Sequence, residues 1–245
     1  MFNNINTHYL QPLRTFNRDA RLFLWATVIN GIILSSWQLF FNIYMLENGF
    51  TRDFLGIVNS LPSLTALLLG IPIGRFSDRM GRKRAIFLGI LCSGFTFLGQ
   101  LVFRQQVLII IMAALTGIFN MFVIVNISPL MMKLSDANNR TLLFSINYGL
   151  QTIAGAVGSL FAGQLPNVFG SLLDVAPTSA EAYRAVLILT LLLGITALIP
   201  LWKLNEPPVM LPTNPGPSNQ LSGPFSGVTL LIVKLATPNL LIGMG

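Results

Sequence analysis

The sequence predicts an all-α, polytopic membrane bundle: six transmembrane helices, then a linker and the start of a second helical half. Three observations predict it. Apolar residues fill 53% of the 245 positions and charged residues only 9%, with a mean hydropathy of +0.70. The apolar residues gather into six long runs, and the cations fall between those runs, alternately many and few. A soluble chain of this length has about a quarter of its residues charged, roughly 60, against the 15 basic and 8 acidic residues present. The surface they leave uncovered faces a lipid bilayer, which is the first partner the composition implies.

About 20 apolar residues rising 1.5 Å each cross the roughly 30 Å hydrocarbon layer. The runs that meet or approach this length are Leu22 to Leu46, Phe54 to Ile73, Ala85 to Phe103, Val107 to Met132, Leu142 to Leu165 and Ala185 to Trp202. They are continuously apolar and rich in Leu, Ile and Ala. A barrel strand is instead an alternating segment of about ten residues. The first run follows Arg14, Arg18 and Arg21, the flank of a signal peptide. It spans 25 residues, with no small-residue cleavage site before Glu47. A signal core has only about 7–15, so this run is read as a retained span. Thr178 and Glu181 have capping-box spacing and mark a helix start just before the sixth run.

The chain divides into an amino tail (1–21), a six-helix bundle (22–202), a Pro/Gly-rich linker (203–227) and a second apolar stretch (228–245). That last stretch reads as the truncated start of a second half. Lys and Arg in short loops favour the cytoplasm. Twelve lie on one side: three in the tail, five from Arg75 to Arg84, then Lys133, Arg140, Lys203 and Lys234. Arg52, Arg104 and Arg184 lie on the other. Both termini are therefore expected in the cytoplasm, and Trp25 and Trp202 in the headgroup zone on that side.

The net charge of +7 forms no basic stripe interleaved with stacking aromatics, which argues against nucleic acid as a partner. Cys92 is the sole cysteine, inside an apolar run, and His8 the sole histidine, in the polar tail. Neither has the companions that a disulfide, a metal site, a cofactor or a catalytic constellation needs.

The most informative stretch runs Gly74-Arg75-Phe76-Ser77-Asp78-Arg79-Met80-Gly81-Arg82-Lys83-Arg84. Its cations alone would serve as an orientation signal, which leaves Asp78 and the two glycines unexplained. Ala66, Gly70, Gly74 and Asp78 recur every four residues on one helix face, and Gly70 with Gly74 forms a small-residue pair that admits a second helix closely. Asp78 emerges at the end of that contact, where a carboxylate can accept hydrogen bonds from a helix amino terminus or a cation. Gly74, Asp78, Arg79, Gly81, Arg82 and Lys83 match G-x-x-x-D-R-x-G-R-[KR]. This resembles the signature between the second and third spans of the major facilitator superfamily.

The resemblance covers the whole chain in topology. It implies a 6+6 fold in the plasma membrane, as of a bacterial cell, with alternating access by a small-molecule solute to a central cavity. The chain would supply the amino-terminal half, and the missing carboxy-terminal half would be its partner. Two features of the family pattern are absent: the fourth run carries no arginine, and the fifth has no Gly-Pro element, its only proline being Pro166 at the far end.

No Asp, Glu, Lys, Arg or His lies within the six runs, so the expected path is lined by neutral polar groups. Asn30, Trp37 and Phe41 share one side of the first run, with Gln38 adjacent; Thr116 and Asn120 are one turn apart in the fourth, and Asn147 and Gln151 in the fifth. Each of the polar members either borders a cavity or makes a helix-to-helix hydrogen bond, the latter worth about 0.6 kcal/mol on average. Ala154, Gly158 and Ala162 form a small-residue face on the fifth run, which by resemblance meets the missing half, as does the Gly70 and Gly74 face. The leading expectation is secondary transport; the alternative is a non-transporting six-span protein with a role in interaction or assembly.

Overall fold

A computed structural model of the chain describes residues 16–205. Most of the amino tail, the linker from 206 onward and the 228–245 stretch lie outside the described residues, as do His8 and Lys234. The described residues form helices α1 (Arg18–Glu47), α2 (Arg52–Met80), α3 (Arg82–Val102), α4 (Gln106–Leu134), α5 (Arg140–Ala162), α6 (Leu165–Leu173), α7 (Ala180–Thr196) and α8 (Leu198–Lys203). Five stretches are long and apolar enough to cross a membrane: α1 to α4, and α7 continued by α8.

The starts are set by local chemistry. Asn17 caps α1 by accepting from the Ala20 amide at 2.8 Å, and Thr51 caps α2 by accepting from Phe54. Before α7 the cap is Ser179, which accepts from Ala182 at 3.2 Å, and not Thr178 as the spacing suggested. Both residues have a competent hydroxyl, and the helix begins one residue later than the capping-box match implies.

The chain alternates in direction. Asn17 of the α1 cap donates to the Leu134 carbonyl at the end of α4, and Lys83 at the start of α3 donates to the Trp202 carbonyl at the end of α8. Those contacts gather the start of α1, the end of α2, the start of α3, the end of α4 and the end of α8 at one end of the bundle. At the other end, the Tyr44 hydroxyl donates to the Leu101 carbonyl at 3.0 Å, joining the ends of α1 and α3. The buried apolar residues form a layer near each end. One contains Phe40, Met45, Phe54 and Val186, the other Phe23, Leu130, Leu143 and Leu201.

Three expectations change. The basic stretch from Arg75 to Arg84 is not a loop: α2 continues to Met80 and α3 starts at Arg82, leaving Gly81 alone between them. Long cationic side chains can extend to water while their backbone stays helical, so the charges end the apolar span without ending the helix. The fifth run stops at Ala162, and a separate helix, α6, begins at its expected end and occupies part of the stretch before the sixth run.

Third, the Ala154, Gly158 and Ala162 face meets α1 within this half. A Cβ on Gly158 would lie 2.9 Å from the Ile32 Cα, and one on Gly31 would lie 2.7 Å from the Gln151 carbonyl oxygen and 3.2 Å from the Ala154 Cβ. The Gly70 and Gly74 face likewise meets α4: their added Cβ atoms would sit 3.9 Å from Met121 and 3.5 Å from Val125. Small residues let α1 and α5 approach at backbone distance, so the α5 face is occupied inside the bundle, whereas Gly70 and Gly74 remain half-buried.

Candidate functional site

Gly81 has φ +97°, a conformation open to glycine and costly for other residues. It turns the chain in one residue, which places Asp78, in the last turn of α2, against Arg82, in the first turn of α3. The two form an ion pair. Arg82 also donates to the Oδ1 of Asn126 on α4 at 3.3 Å, and Asn126, fully buried, donates to the Phe122 carbonyl of its own helix. One guanidinium thus ties together three helices at the end where α2 and α4 close. The Asp78 side chain is 55% exposed, so its pairing alone is worth at most about 1 kcal/mol. The bond to buried Asn126 is the stronger anchor, since a hydrogen bond to a charged group contributes about 1.5–3 kcal/mol. Asn126 escaped the sequence reading; its only signal is a second amide, six residues after Asn120, in a largely apolar run.

The expected polar positions separate into two sets. Trp37 is 7% exposed, stacked on Phe41 at 5.0 Å and against Phe97 of α3 at 4.2 Å. Thr116 is buried, accepts from Gln100 at 2.9 Å, is hydrogen-bonded to Thr96 at 2.8 Å, and binds its own helix at Met112. Asn147 accepts from the Thr27 hydroxyl at 2.7 Å. These four, Trp37, Phe41, Thr116 and Asn147, join helices to one another. Gln38 is exposed, and Asn30, Asn120 and Gln151 are half-buried.

Two exposed polar strips, of which the sequence singled out only Gln38, stand out in the structure. On α1 and α2, Gln38 and Asn42 lie one turn apart beside Asn59 and Ser63, and Asn59 donates to Asn42 at 2.9 Å. On α5, Ser145, Tyr148 and Thr152 are exposed at spacings of three and four, one continuous stripe on that helix. Tyr148 is 59% exposed. The first strip belongs to the end opposite Gly81. The second begins about 8 Å along α5 from Arg140, on the Gly81 side. The stripe also accounts for α5 being long enough to span but less apolar than its neighbours. Among the described residues no group of His, Cys, Asp and Glu is arranged to hold a metal ion.

The model of the Major Facilitator Superfamily matches residues 23–244. The chain belongs to this superfamily. Among solved structures, the facilitator chain is similar to a bacterial homolog of the human lysosomal transporter Spinster, solved in an inward-facing and unoccupied conformation. The TM-score is 0.63 at 18% identity, covering 81% of this chain and 45% of that one. The likeness is one of fold, and the chain spans less than half the length of that transporter. A search of curated proteins returned no match. The superfamily assignment and the apolar helices make this a multi-pass membrane protein.

Proposed function

We propose that the chain is the amino-terminal half of a secondary transporter that moves a small solute by alternating access. A carboxy-terminal half completes the path. In this reading the Gly81 end faces the cytoplasm of a bacterial cell, across the plasma membrane. Among the described residues ten cations lie toward that end and Arg52, Arg104 and Arg184 toward the other.

The observation that carries the reading is the pair of exposed polar strips toward opposite ends of the bundle. Neutral polar side chains avoid lipid and gather where water enters or helices meet. Gln38, Asn42 and Asn59 would border the path from outside, and Ser145, Tyr148 and Thr152 from inside. Asn30, Asn120 and Gln151 are the half-buried candidates between them. Gly74, Asp78, Arg79, Gly81, Arg82 and Lys83 form the conformational latch. If the Asp78 contact is made in one access state and broken in the other, its loss of at most about 1 kcal/mol biases the two states by roughly 5-fold.

The test uses the complete transporter with Cys92→Ser and single cysteines at Gln38 or Tyr148. Membrane-impermeant maleimide is applied to right-side-out and inverted vesicles. Alternating access expects Gln38→Cys to react from outside and Tyr148→Cys from inside, with Asp78→Asn moving the two rates in opposite directions at unchanged abundance. Rates that stay fixed under Asp78→Asn refute the latch. Inertness at both positions supports the assembly alternative.

A further inference from the structure

We propose that α6 is an interfacial helix, embedded along one side in the boundary between headgroups and acyl chains, on the membrane face opposite the Gly81 turn. The proposal rests on α5 being membrane-spanning and needs no transport activity.

The length of α5 sets the depth. Its 23 residues rise about 34 Å against a hydrocarbon layer of roughly 30 Å, so α6 begins where the hydrocarbon ends. It does not continue outward into water, because Leu165 and Phe169 pack against the apolar layer that includes Met45, Phe54 and Val186 at that end of the bundle. At Gly170 the chain leaving the helix folds back closely: an added Cβ would lie 3.0 Å from the Pro177 Cα and from the Val175 carbonyl oxygen. Asp174, left-handed at φ 56°, ends the helix with an exposed carboxylate.

At 100° per residue the nine positions fall into three sectors. Leu165, Phe169, Pro166, Gly170 and Leu173 lie on the protein side, where Pro166 and Gly170 are buried and Leu173, in the last turn, is 47% exposed. Asn167 and Ser171 form an exposed polar sector, tied by the Ser171 hydroxyl donating to the Asn167 carbonyl at 3.0 Å. Val168 and Leu172 form an exposed apolar sector, at 57% and 74% exposure. A helix with one side on protein, one polar side and one apolar side matches a site where protein, water and hydrocarbon meet.

The occupant of the apolar sector follows from its neighbours and its charge. The chain entering α6 carries Leu160 and Phe161, both about three-quarters exposed on a membrane-spanning helix, so the apolar sector follows directly from an exposed apolar surface. No residue from Leu165 to Leu173 is charged. That pattern selects the acyl-chain edge and not an anionic headgroup or a charged protein.

The full chain, with Cys92→Ala and a nitroxide at Asn167, Val168, Ser171 or Leu172, is reconstituted in phosphatidylcholine bilayers. Accessibility to oxygen, which partitions into lipid, is compared with accessibility to a water-soluble nickel chelate. Val168 and Leu172 are expected to favour oxygen and Asn167 and Ser171 nickel, so the accessibility parameter changes sign between the sectors. The pattern should persist when anionic phosphatidylglycerol is added. All four labels favouring nickel would overturn the proposal, as would Val168 and Leu172 immobile and closed to both reagents, the sign of a covering protein segment or second copy. A pattern that needs anionic lipid would overturn it too.

Discussion

The tightest approach between α2 and α4 is at Gly117, and Gly117→Ala tests whether that contact sets the helix pair. A Cβ there would overlap the Thr65 hydroxyl, which can rotate away. It would also lie 2.6 Å from the Pro62 Cα, which is backbone and cannot. Restoring ordinary contact at 3.4 Å requires α2 and α4 to separate locally by 0.8 Å (3.4 minus 2.6). A gap of about 0.5–1 Å forfeits roughly a quarter to a half of the dispersion attraction of each atom pair it opens. Overpacking of this kind costs about 1–3 kcal/mol.

For a chain of 150–250 residues each kcal/mol corresponds to about 2–4 °C, so the melting temperature should fall by roughly 2–12 °C. The assay is thermal loss of the monodisperse peak in detergent, with Gly74→Ala as control. Its Cβ would sit 3.5 Å from the Val125 Cγ1, in ordinary contact, and removing a mid-helix glycine gains up to about 1 kcal/mol of helix propensity. Gly74→Ala should therefore melt with or above the parent. A parent-like Gly117→Ala alongside a destabilised Gly74→Ala would refute the reasoning and restore the Gly70 and Gly74 pair as the critical contact.

Thr116→Val should destabilise by about 1–3 kcal/mol, because Gln100, 3% exposed, loses an acceptor where water does not reach; adding Gln100→Leu should recover part of the loss, and an additive double variant in thermal melts would count against the shared network. Reporter fusions after Leu204 should be active only inside the cell, as the twelve-to-three division of cations requires; activity only outside would invert the bundle and exchange the proposed roles of the two polar strips.

Composition and the placement of cations determined that this protein is a helical membrane bundle, and the ten-residue pattern from Gly74 to Lys83 pointed to its superfamily. Both are one-dimensional signals. The bilayer demands a minimum apolar length and the pattern a fixed spacing, so each leaves a mark that needs no partner to be read; that Gly81 alone separates two helices, where a loop was expected, is seen only in the fold. Partner choice leaves no such mark. Ala154, Gly158 and Ala162 advertise a close helix contact without saying with which helix, and only the packing of α5 on Gly31 and Ile32 decided it. Thr116 and Asn147 were polar residues with two possible fates until Gln100 and Thr27 were found beside them. Asn126 acquires its role from an arginine 44 positions away in sequence. The α5 stripe and α6 were hidden for the same physical reason: whether an uncharged side chain faces protein, water or lipid depends on which neighbours cover the rest of its helix, and those neighbours are assembled only in three dimensions.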